Sequence, residues 1–117
     1  MRGKRGFGEL GEEYASKLLV DNGYKILEKN FRSKLGEIDL IAQDKDVLVF
    51  VEVKTRWSRK FGLPEESVTP RKINKIKRII EYYLLSHKNL AKKLRIDVVA
   101  IEVEGGRVKS ARIIKVV

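Results

Sequence analysis

The stretch Val47-Leu48-Val49-Phe50-Val51-Glu52-Val53, followed by Lys54, constrains the fold more than any other part of the chain. β-Branched and aromatic residues dominate it, which favours an extended strand over a helix. A strand that is apolar almost throughout is expected where both faces are covered, so this one should be central in a sheet with layers on either side. Such a strand has no easy place for an ion, because charged groups are rarely buried unless they pair or hold a metal. Side chains alternate with period two, so Leu48, Phe50, Glu52 and Lys54 share one face. A glutamate and a lysine are therefore neighbours on a strand that otherwise reads as core.

The flanking segments complete an α/β pattern. Residues 8–22 carry Leu10, Tyr14, Ala15, Leu18 and Leu19 at helical spacing, and Gly23 supplies a stop. Residues 24–32 alternate loosely and read as a strand. Gly36 marks a turn, residues 37–43 read as a second strand, and Asp44-Lys45-Asp46 is a polar turn before the central run. Residues 56–68 read as a loop. Thr69-Pro70 then opens a helix, with Thr as N-cap and Pro at the first helical position, and Ile73, Ile76, Ile80 and Tyr83 as its apolar stripe. Residues 95–103 and 107–117 read as a hairpin across Glu104-Gly105-Gly106. The predicted order is α-β-β-β-α-β-β, giving one mixed sheet of about five strands flanked by helices. With no linker, repeat or low-complexity segment, residues 1–117 are expected to form a single domain.

Asp39 poses the same question as Glu52, because Ile38, Leu40 and Ile41 surround it. An antiparallel hairpin turning at Asp44-Lys45-Asp46 would set Asp39 opposite Glu52. Adjacent carboxylates raise each other's pKa unless a cation lies between them. The chain has no Cys and one His, His87, so any bound metal would have oxygen ligands, which favours Mg²⁺ or Mn²⁺. Lys54 would then meet a phosphate or the attacking water. Phosphodiester hydrolysis needs these elements: a metal that activates water and holds the phosphate, and further positive charge for the transition state. The competing reading is purely structural, a Glu52–Lys54 ion pair with Asp39 accepting a neighbouring hydrogen bond.

Charge points to the partner. Against 26 Lys and Arg stand 16 Asp and Glu, a formal net charge of +10, so polyanions are the expected partners, with nucleic acid ahead of a membrane. The bland alternative is solubility. Arg56-Trp57-Ser58-Arg59-Lys60-Phe61 interleaves cations with aromatics, which suits phosphate contact and base stacking; Arg56 and Trp57 are the candidates, while Phe61 reads better as a core anchor. The second helix carries Arg71, Lys72, Lys75, Lys77 and Arg78 with no acid until Glu81, either a phosphate-binding face or a solvated one. Arg2, Lys4 and Arg5 could form an arm on the nucleic-acid backbone. Asp97 in its apolar strand reads as structural, paired with an Arg, and His87 as a surface residue. The N-terminus lacks the apolar stretch of a signal peptide and no run is long enough to span a membrane, so a cytoplasmic protein is expected.

Gly36-Glu37-Ile38-Asp39-Leu40-Ile41 followed by Val49-Phe50-Val51-Glu52-Val53-Lys54-Thr55-Arg56 resembles the Asp…Glu-x-Lys signature of the PD-(D/E)xK nucleases. The chain looks most like the YraN-type family of small bacterial proteins, similar to the archaeal Holliday junction resolvases. Phe7-Gly8, Gly11-Glu12, Lys72 and Asp97-Val98-Val99 also match, so the resemblance spans essentially the whole chain. It implies a restriction-endonuclease-like fold and a Mg²⁺-dependent nuclease acting on DNA, including branched or structured DNA. It makes Asp39 and Glu52 metal ligands, Lys54 the catalytic lysine and Glu12 a fourth member of the catalytic set; Ile38 replaces the motif's Pro. Glu9, Glu12 and Glu13 all suit the start of a helix, but only Glu12 shares a stripe with Ala15 and Leu19. Glu37 reads either as a neighbour of the site or as a solvated residue. Symmetric cutting of a four-way junction needs two sites, which a homodimer would supply. The alternative is a non-catalytic nucleic-acid-binding protein that keeps the fold.

Overall fold

A computed structural model describes residues 3–57, 62–87 and 93–116, with side chains from Leu10 onward. Helix α1 (Gly3–Asp21) is followed by β1 (Lys25–Ser33), β2 (Gly36–Asp44), β3 (Val47–Arg56), a 3₁₀ turn (Pro64–Ser67), α2 (Pro70–Ser86), β4 (Lys93–Glu104) and β5 (Arg107–Lys115). The order matches the expectation from sequence, and the α/β architecture is compatible with the restriction-endonuclease-like fold. The five strands lie side by side in chain order, so β3 is central. Neighbours are antiparallel except β3 and β4, which run parallel, with α2 in the connection between them. A parallel pair needs such a crossover because no tight turn can join it.

The parity of β3 sorts the core into two layers. Leu48 and Phe50 pack with Ile38, Ile41 and the α2 side chains Ile73, Ile76, Ile79, Ile80 and Tyr83. Val49 and Val51 pack on the other face with Ala15 and Leu19 of α1, together with Tyr24, Leu40, Val99 and Ile101. Fully burying each large aliphatic or aromatic side chain contributes about 1.5–3 kcal/mol, so these layers dominate stability. α2 starts as expected: Thr69 is extended and its hydroxyl accepts the Lys72 N–H at 3.3 Å.

Several sequence expectations need correction. α1 begins at Gly3, so Lys4 and Arg5 are wound into its first turn instead of forming a free arm, while Arg2 lies outside the described residues. The buried stripe of α1 is narrower than its periodicity suggested: Ala15 and Leu19 are buried, whereas Leu10 and Tyr14 are 58% and 41% exposed. The apolar pattern was read correctly as helical, but only a limited arc of this helix touches the sheet. β3 continues to Arg56, which places Lys54 and Arg56 inside the strand. The 3₁₀ turn within the expected loop begins where Glu66 Oε1 reaches back to accept the Leu63 N–H at 2.6 Å. His87 is no plain surface residue: its ring stacks on Tyr83 at 3.8 Å and Nε2 lies 3.6 Å from Glu28 Oε2.

Two close approaches set how the helices sit. At Gly11, a Cβ would lie 2.7 Å from Thr55 Oγ1, so the backbone of α1 can meet the end of β3 only because the side chain is missing. At Gly36, φ is +138° and a Cβ would lie 3.0 Å from Lys75 Cε, so glycine serves both the turn into β2 and the passage of α2 above it.

On the α1 face, Asp97 is fully buried and fully paired. Arg95 donates from Nε to Asp97 Oδ1 at 2.7 Å and from Nη2 to Asp44 Oδ2 at 2.9 Å, while the Tyr24 hydroxyl donates to Asp97 Oδ2 at 2.6 Å. Burial, then the Asp97 hydrogen bond, pushes the Tyr24 phenol well above its ordinary range. This cluster is structural, as expected for Asp97. No helix is long and apolar enough to cross a membrane among the described residues.

Candidate active site

The β2–β3 ladder runs from Asp44–Val47 to Leu40–Val51 and goes no further. β2 remains paired with β1 beyond that point, and β3 with β4. Where the ladder ends, Asp39 Oδ2 accepts the Val53 N–H at 2.7 Å. The aspartate thus does by side chain what the next ladder bond would have done by backbone. That bond is local to the hairpin, so the sequence fixes it once the turn at Lys45-Asp46 is made.

Asp39 is also within hydrogen-bonding reach of Glu52, which the parity of β3 turns toward α2. The Glu52 side chain is only 7% exposed. Burial, the charge of Glu52 and the charge of Glu12 together push the Asp39 carboxyl up to about 7, with the Val53 N–H acting in the opposite direction. Two carboxyl groups this close share a proton when no cation is present, and a cation can replace that proton. Glu12 is half-buried on α1, and its charge reaches Asp39 from the other layer.

Cations gather on Glu52. Lys72 Nζ lies 3.5 Å and Lys54 Nζ 4.0 Å from its Oε2, with the two lysine side chains about one third exposed, at 35% and 34%. Lys72 was read from the sequence only as a phosphate contact; the structure sets it against the carboxylates. Thr69 fixed its place in the first turn of α2, but the tilt of the helix on the sheet, which decides what Lys72 meets, is a tertiary property. Arg56 lies further along the same face, and its Nε is buried without a hydrogen-bond partner among the described residues. An orphaned donor of that kind calls for an acceptor beyond the described residues.

The other candidates divide. Arg71 and Lys75 border a cavity beside α2. Trp57 is 49% exposed at the end of β3. The side chains of Glu9 and Arg5 lie outside the described ones, as do Ser58, Arg59, Lys60 and Phe61. Glu37 is exposed and pairs with Arg32 at 3.4 Å.

The donor set suits a hard divalent ion. Among the described residues no group of three or more His, Cys, Asp or Glu side chains is placed to hold a metal ion, so the protein's own candidates are the two carboxylates Asp39 and Glu52. Asp39 would offer its second oxygen, the first being held by Val53, and Glu52 would turn from the lysines.

The fold and this centre define a small α/β protein with a carboxylate pair and two lysines at the edge of a strand opening. Residues 11–101 match the family described as Uncharacterised protein family UPF0102, and the chain belongs to that family. It is 49% identical over 110 residues to a UPF0102 protein of Syntrophomonas wolfei, covering 94% of this chain and 96% of that one. It is 47% identical to one from Moorella thermoacetica (84% and 82% covered) and 50% identical to one from Caldicellulosiruptor bescii (84% and 83%).

Proposed function

We propose that the protein is a Mg²⁺- or Mn²⁺-dependent nuclease that hydrolyses phosphodiester bonds in DNA, including branched or otherwise structured DNA. The observation that carries this reading is half-buried Asp39 set against buried Glu52, with the Asp39 carboxyl raised by burial and by the Glu52 charge, and Lys54 and Lys72 beside them. A bound divalent ion supplies Lewis acidity and lowers the pKa of water. Asp39 and Glu52 would hold it, and the Val53 N–H keeps Asp39 from rotating. Lys54 lies where it can orient the attacking water or bear on the phosphate, and Lys72 adds charge as the pentavalent phosphorus accumulates negative charge. Arg56 gives the buried Nε–H to a neighbouring phosphate oxygen. Glu12 tunes Asp39 from behind.

A second reading has its own observation. The two lysines already neutralise Glu52 without any metal, as they would in a nucleic-acid-binding protein that has kept the fold and does not cut. Cleavage of labelled linear, single-stranded and four-way-junction DNA in Mg²⁺ or Mn²⁺, beside Asp39→Ala and Lys54→Ala, separates the two. Metal-dependent cutting lost in both variants supports the nuclease. Salt-sensitive binding with no cutting by the wild type supports the binding protein.

A further inference from the structure

A cavity of about 470 Å³ lies beside the first turns of α2, bounded by Leu35 from the β1–β2 turn and by Arg71, Lys72, Lys75 and Arg78. Among the described residues no carboxylate lines it. Several other cations are matched: Arg32 with Glu37, Lys93 with Asp46, Arg95 with Asp44 and Asp97, Lys109 with Glu104, and Arg112 with Glu65 and Glu102. Others, such as Lys25, Lys45 and Lys115, are unmatched among the described residues, but the α2 cations differ in lining one cavity together. Among the described residues Arg71, Lys75 and Arg78 have no ion-pair partner, and Lys72 reaches only Glu52 in the carboxylate centre.

This arrangement opposes the helix that carries it. Arg71 and Lys75 stand four apart, and Lys75 and Arg78 three apart, so like charges face one another along one side. The first turn holds no acidic residue, although cations there also oppose the positive end of the helix dipole. Both penalties vanish when anions occupy the cavity. From Arg71 to Arg78 the stripe covers eight residues, about 10 Å of helix, and the long Arg and Lys side chains that fan out from it can meet two or three successive phosphates of one strand. The volume seats about one nucleotide and excludes a whole duplex, so the neighbouring phosphates are met at the rim of the cavity.

Resting on the reading of the chain as a nucleic-acid-binding protein, we propose that this cavity is the track along which one strand of the nucleic acid leaves the carboxylate centre. Lys72 joins the two places: it touches Glu52 on one side and borders the cavity on the other. Arg71, Lys75 and Arg78 take successive backbone phosphates, and Leu35, 48% exposed, offers an apolar wall to a sugar or base. The substrate class follows: a nucleic acid able to present one strand, free of its complement, for two or three nucleotides on one side of the scissile phosphate.

The test compares two triple variants of equal charge on an uncut background, Asp39→Asn. One is Arg71→Ala/Lys75→Ala/Arg78→Ala; the other is Lys45→Gly/Lys109→Ala/Lys115→Ala, away from the cavity. All six residues are exposed: alanine suits the three helical positions on α2, glycine suits the positive φ of Lys45, and Lys109 and Lys115 lie on the edge strand β5, so the variants fold. The probe is a labelled single-stranded DNA oligonucleotide, with affinity measured across a salt series. For the cavity triple, losing three phosphate contacts at about 0.7 each lowers the slope of log affinity against log salt by about 2, and affinity in 0.1 M salt falls roughly a hundredfold. The distant triple keeps a slope close to the parent's. Equal losses in the two triples, an unchanged cavity triple, or a parent that does not bind the strand at all each overturn the proposal. Cleavage by the wild type is scored separately: binding through the cavity without cutting in Mg²⁺ removes the nuclease reading and leaves the strand track, while cutting with an unaffected cavity triple does the reverse.

Discussion

Asp39→Asn should make the metal-free protein more stable while abolishing the proposed nuclease activity. The amide oxygen can still accept the Val53 N–H, and the amide nitrogen can donate to Glu52, so the hydrogen bonds survive and only the half-buried charge is lost. In the folded protein the Asp39 carboxyl titrates near 7, against an ordinary value of 3.8. A carboxyl raised in this way favours folding fully below its unfolded pKa, and that contribution is lost as pH rises through about 7. The gap corresponds to up to about 4 kcal/mol at pH 8. Denaturant or thermal unfolding in EDTA at pH 4 and pH 8 measures it. At pH 4 the two proteins should differ little. At pH 8 the variant should lead by roughly 2–4 kcal/mol, a rise in Tm on the order of 10 °C for a domain of this size. Mg²⁺ should narrow that lead by binding the folded wild type. A variant no more stable than the wild type at pH 8 in EDTA would refute the idea that carboxylate crowding strains this site.

Three further substitutions probe the frame around the centre. Gly11→Ala, which would strengthen an exposed helix, should instead cost about 1–3 kcal/mol, because its Cβ would stand 2.7 Å from Thr55 Oγ1; Thr55→Ala should recover most of that loss in a double-mutant unfolding cycle. Gly36→Ala should lose about 1–3 kcal/mol in denaturant titration, since φ is +138° and α2 passes close by. Arg95→Met should cost about 3–5 kcal/mol, because it strands the fully buried Asp97 carboxylate, and a loss under 1 kcal/mol would show that Tyr24 alone suffices to hold it.

What could be read from the chain was whatever depends on neighbours in sequence. The parity of β3 and the tight turn at Lys45-Asp46 place Asp39 beside Glu52 without knowledge of anything else. The Thr69-Pro70 cap fixed where α2 begins. Lys72 escaped, because its meeting with Glu52 depends on how α2 lies over the sheet. The exposure of Leu10 and Tyr14 escaped for a related reason: periodicity reports which residues share a side of a helix, not how wide a surface awaits them. Asp97 was legible as a carboxylate wanting an Arg, but not that Arg95 is the one, nor that Tyr24 and Asp44 join them from other elements. Glu65 and Glu102 converge on Arg112 in the same non-local way.

The bond from the Val53 N–H to Asp39 gives this protein a reporter of its own occupancy. One carboxylate oxygen is committed to a main-chain proton while the same group meets Glu52, so an ion entering the proposed centre would pull on the group that shields that amide. Hydrogen exchange at Val53 should therefore respond to a cation while the amides of the Leu40–Val51 ladder, paired backbone to backbone, do not. A single exchange rate at the point where two strands part then reads, without any substrate or reaction, whether the centre is filled.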